Sequence, residues 1–141
     1  MTVATSVGVI GITIFLVTNS ALSLSFLSDQ YAAATTDAQR LTFLAAGQAV
    51  LTIYQVTGID VGVFLISIAI LLVSAVMLQS NTFNKVTGYM GILDAIITLS
   101  YYPISAVTPG SIYVLIGSGV LLILWLILVG RRLFELGKIR P

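Results

Sequence analysis

The chain contains five acids, Asp29, Asp37, Asp60, Asp94 and Glu135. They are scattered, with no ExxE-type pair that would hold a hard cation. Histidine and cysteine are both absent. That removes imidazole acid/base catalysis, His-ligated metal or haem, thiolate nucleophiles and disulfides. Asp94 stands apart from the other acids. It lies near the middle of FNKVTGYMGILDAIITLSYYPISA, Phe83 to Ala106, whereas every other charge sits at the end of an apolar segment or in a connection.

Placed on a helix that begins near Asn84, Asp94 falls roughly 15 Å along it, close to the middle of a bilayer. Facing lipid, an acid at that depth costs at least ~2.5 kcal/mol, so it is expected to face a bundle interior or a cavity. In its neutral form it can donate a hydrogen bond to a neighbouring helix. Asn19, Ser20, Ser67, Thr98 and Ser118 are the candidate partners. One reading is a proton or cation site in a transport path. The plainer one is a tie between helices, or a pair with a basic group on another subunit. The absence of a second titratable group at the same depth favours the tie.

Enzyme chemistry finds little support. Serine hydrolysis needs a base beside the serine, and the only lysines, Lys85 and Lys138, lie at or beyond the ends of apolar runs. An aspartyl protease needs two facing acids, and Asp60 lies near the outer surface, far from Asp94 in depth. No catalytic residue, cofactor or metal site is expected.

The elements that must position Asp94 follow from composition. The chain has 141 residues, 58% hydrophobic and 8% charged, with mean hydropathy +1.11. A soluble domain is about one quarter charged, so an all-α integral membrane bundle is expected. Net charge is only +1. With no basic stretch to neutralise a row of phosphates, nucleic acid is not an expected partner.

Four membrane spans are expected, over about 5–27, 61–79, 84–106 and 111–130 of a single membrane domain covering 1–141. The first competes with a signal peptide ending near Ala21-Leu22-Ser23, but the usual basic n-region is missing. It is read as a span carrying one strongly polar side chain, Asn19. Thr36, Asp37, Ala38, Gln39 forms a capping box that opens a helix over about 37–55. Its glutamines, Gln48 and Gln55, suit an outward-side interfacial helix better than a fifth crossing. Pro109-Gly110 marks the connection into the last span.

Lys85 borders the short turn between spans two and three, and Arg131 and Arg132 open a basic tail over 131–141. The positive-inside rule puts both in the cytoplasm, with both termini inside. Trp125 and Tyr89 then fall near the inner interface, and Tyr101, Tyr102 and Tyr113 near the outer one. Gly88, Gly91 and Ala95 in span three, with Gly117 and Gly119 in span four, are candidate sites of close helix packing, within the chain or against another subunit.

Three segments carry a resemblance: YAAATTDAQRLTFLAAGQAVLTIYQVTGIDVGVFL, FNKVTGYMGILDAI and the ending WLILVGRRLFELGK. The pattern resembles a widespread prokaryotic family of multi-spanning membrane proteins of uncharacterised function (domain of unknown function 4386). The resemblance covers roughly Leu24 to Lys138 and includes no catalytic motif. It implies a helical bundle in the inner membrane of a prokaryote. Such proteins usually carry additional N-terminal spans, so a trimmed version is implied. The expectation is a non-catalytic accessory or structural subunit, with the bilayer and other membrane subunits or further copies of itself as partners. The alternative is a small oligomeric transporter or channel with Asp94 lining the path.

Overall fold

The computed structural model describes residues 2–108 and 112–138. All the regular structure among them is helical. The helices are α1 (Thr2–Val17), α2 (Ala21–Ala33), α3 (Asp37–Ile53), α4 (Phe64–Gln79), α5 (Lys85–Ser105) and α6 (Ile112–Lys138). A π-helical segment, Tyr54–Val63, joins α3 to α4. The connection read at Pro109-Gly110, the start of the fourth span at Ser111 and the last residues of the tail lie outside the described residues.

Three helical runs are long and apolar enough to cross a membrane: Thr2–Ala33, Asp37–Gln79 and Tyr113–Lys138. Their boundaries differ from the spans expected from composition. The first run is interrupted at Thr18-Asn19-Ser20. There the Thr18 hydroxyl donates to the Ile14 carbonyl at 2.8 Å, and the Asn19 carboxamide oxygen accepts from the Ala21 N–H at 3.3 Å. Thr and Asn side chains offer the backbone such local alternatives and so end helices. The second run joins the 37–55 helix to the following span as 43 continuous helical residues. That is more than the about 20 residues that a hydrocarbon core requires.

The chain forms two compact units, Ile10–Val63 and Met1–Val9 with Phe64–Pro141. In the first, α3 starts at the predicted capping box. Thr36 Oγ1 accepts from the Gln39 N–H at 3.3 Å, and Gln39 Oε1 accepts from the Thr36 N–H at 3.4 Å. Two orphan donors at the helix start are thereby satisfied. Along the π-helical segment Gly58 is buried, and a Cβ there would run into the Thr18 hydroxyl. Phe15 and Tyr54 meet nearby, with ring centroids 6.2 Å apart.

In the second unit α5 packs against both α4 and α6. Asn84 caps α5, its side chain accepting from the Val86 N–H at 3.2 Å. The buried apolar residues Ile70, Met77, Ala95 and Trp125 form one cluster. Beside them Ser67, Ser74, Thr87, Asp94, Thr98 and Ser118 are also buried, while Leu93, Ile96, Ile116, Val120, Ile123 and Leu126 are exposed. This inverts the distribution of a water-soluble bundle, where small polar residues face out and branched apolar ones face in. It is the distribution that suits helices surrounded by lipid.

Candidate functional site

The inward residues of α4 are Ser67, Ala69, Ile70, Ser74 and Met77, and all but Ala69 follow alternate steps of three and four. Those of α5 include Gly88, Gly91, Asp94, Ala95 and Thr98, and those of α6 include Ser118 and Trp125, seven apart. Such spacing keeps one stripe of each helix facing its neighbours along the whole contact. Small residues dominate the stripe, so the backbones approach closely.

Gly91 is where the three helices converge. A Cβ on it would collide with the Ser74 hydroxyl of α4 and come within 2.5 Å of the Trp125 indole nitrogen of α6. One turn along α5 lies Asp94, 2% exposed. Residues three apart on a helix are neighbours on one face, with Cβ atoms about 5–6 Å apart. The Ser74 hydroxyl, Asp94 Oδ1 and Trp125 Nε1 are each buried with no hydrogen-bond partner among the described residues. The site therefore combines one hydroxyl, one carboxyl oxygen and one indole donor inside an otherwise small-residue seam. The site can hold a proton on its carboxyl. It offers little to a metal ion, because indole N–H is a donor with no lone pair to give. Among the described residues no group of three acids could hold a metal.

Several predicted partners of Asp94 are engaged elsewhere. Thr98 donates to the main-chain carbonyl of Asp94 at 2.9 Å, and Ser118 to the Leu115 carbonyl at 3.0 Å. Ser67 is buried at 2% exposure. Asn19 and Ser20 belong to the other compact unit. Gly88 packs within the chain, its Cβ position 2.6 Å from Leu78, and Ala95 is fully buried. Gly117 and Gly119 are different: nothing lies within 4 Å of the Cβ either would carry.

Trp125, read from the sequence as an aromatic anchor near the inner interface, is 7% exposed and packs over Gly91. The glycine leaves room for the large ring. Of the other anchors, Lys85 is at a helix terminus, while Arg131 and Arg132 lie within α6. Lys85 opens α5 and is exposed, as is Arg131, and Arg132 Nε donates to the Thr82 carbonyl at 2.6 Å. Ser74 was the residue that sequence reasoning missed. Its only signal was the seven-residue step from Ser67 within an apolar run.

Comparison with known protein families, curated proteins and solved structures finds no match in any of the three.

Proposed function

We propose that this chain is a non-catalytic accessory or structural subunit of a membrane protein complex, held in the membrane by four crossings. The first crossing lies within Thr2–Ala33, and the others are α4, α5 and α6. Helix α5 is not among the three most apolar runs because its composition includes Thr87, Asp94 and Thr98, and these three are buried. Its 21 residues reach about 31 Å, the thickness of the hydrocarbon core. The 37–55 stretch is taken as an outward-side interfacial helix, and by the positive-inside rule Lys85, Arg131 and Arg132 favour both termini in the cytoplasm of a prokaryotic cell. The resemblance to the domain of unknown function 4386 family is consistent with this bundle and assigns it no reaction.

The observation that carries the accessory reading is the difference between two sets of glycines. Gly88 and Gly91 are consumed by packing inside the chain, and Asp94 is sealed with them. Gly117 and Gly119 stay uncovered on α6, on a helix whose neighbouring side chains are apolar and exposed. Small residues left open on a membrane helix suit close approach by a helix of another subunit. The test is gentle detergent extraction followed by native mass measurement, for the wild type and for Gly117→Leu. A defined complex that the variant loses supports the reading. A lone chain or a homo-oligomer in both sinks it.

A second reading has its own observation, the three unpartnered buried polar atoms around Gly91. They suit a bound proton or water in a transport path. Proton flux into liposomes that falls with Asp94→Asn would favour this reading over the first.

A further inference from the structure

The turn after α4, the start of α5 and the end of α6 surround a cavity of about 500 Å³. Asn81, Asn84, Thr87, Arg131, Arg132 and Glu135 line it. Arg132 is fixed in its wall: Nε donates to the Thr82 carbonyl at 2.6 Å and Nη1 pairs with Glu135 at 3.0 Å. Its neighbour Arg131 makes no ion pair or hydrogen bond among the described residues, so its charge is free. Thr87 is 5% exposed, and its hydroxyl takes no partner among the described residues.

Two guanidinium groups against one carboxylate leave the cavity with a net positive charge. The N-terminus of α5 adds the positive end of its helix dipole. The donors are a free guanidinium, a threonine hydroxyl and two carboxamides. That set matches the oxygens of a phosphate, which guanidinium binds in a forked geometry. Glu135 opposes an anion, but Arg132 neutralises it directly. The cavity also lies at the polar end of the apolar run of α6, beside the turn that closes α4 and α5.

We infer that this cavity is a phosphate-binding site, fitted to the headgroup of an anionic phospholipid. It is independent of the docking role assigned to α6 and of the buried acid.

The test uses the full chain in a neutral detergent, titrated with phosphatidylglycerol, phosphatidylcholine and inorganic phosphate. Bound species are read by native mass spectrometry, and Trp125 emission verifies folding. The expected result is a phosphatidylglycerol preference over phosphatidylcholine that Arg131→Gln weakens about fivefold, the effect of one basic residue at an anionic surface. Lys138→Gln removes the same charge from outside the cavity and should leave binding unchanged. Inorganic phosphate binding more tightly than either lipid, again lost in Arg131→Gln, keeps the phosphate site and names a free anion as its source. Equal binding of the two lipids with no binding of inorganic phosphate would overturn the inference. So would an equal loss in Lys138→Gln, which would mark general surface charge.

Discussion

Gly91 of α5 lies beneath the indole of Trp125 of α6, so closely that a Cβ on the glycine would sit 2.5 Å from Nε1 and 3.0 Å from Cε2. The Ser74 hydroxyl occupies the same notch from α4. A methyl group has no flexible side-chain end to push aside here, because the neighbours are a ring and a short side chain on two different helices.

Gly91→Ala should therefore force α4 and α6 away from α5 and cost about 1–3 kcal/mol, the range for overpacking a filled core. The chain has a single tryptophan, so its fluorescence reports this contact alone. Wild-type emission should be blue-shifted and shielded from a soluble quencher. Gly91→Ala should shift it to the red and lower the melting temperature. Unchanged emission would mean the indole is not seated over Gly91.

Asp94 is sealed in the same seam, which constrains what can replace it. Asparagine has the same shape and carries no charge, so Asp94→Asn should change stability by about 1 kcal/mol or less. Asp94→Lys places a longer charged chain where no exposed volume receives it, and should abolish the folded bundle in detergent. Thermal melting followed by Trp125 emission distinguishes the two. A lysine variant as stable as the wild type would show that this position opens to water.

Gly117 offers the opposite case. With nothing within 4 Å of its Cβ position, Gly117→Leu should leave the melting temperature of the isolated chain within a degree or two, consistent with a surface change of about 0.5 kcal/mol or less. The same variant should lose association with a partner subunit. A large drop in the stability of the isolated chain would instead place Gly117 in intrachain packing.

The capping box makes a local prediction. Thr36→Ala removes the acceptor for the Gln39 N–H and should cost about 1 kcal/mol. Hydrogen exchange should then speed up in the first turn of α3 and stay unchanged in α5. Uniform acceleration would mean that α3 and α5 open together.

What could be read before the fold was known depended on the range of the interaction. The capping box at Thr36 and Gln39 is a three-residue relationship, and the structure forms it as expected. Asp94 drew attention because a charge inside an uncharged run is costly wherever the run goes, and the structure buries it. The helical class followed from composition for the same reason, since it does not depend on which helices meet.

Long-range packing was not readable in this way. Gly88 and Gly91 look like Gly117 and Gly119 in the sequence, yet the first pair is covered by α4 and α6 and the second is open. The distance of Trp125 from Arg131 is visible in the sequence, but its contact with Gly91 is not. Ser74 carried no chemical signal until α5 was set against it.

The sequence by itself determined an all-helical chain with runs apolar enough to cross a membrane, the start of α3 and one acid that had to be hidden, because composition, caps and charge act locally or by solvation. Only the tertiary structure decided which small residues became contacts and which stayed open, because that depends on backbone approach between helices far apart in the chain.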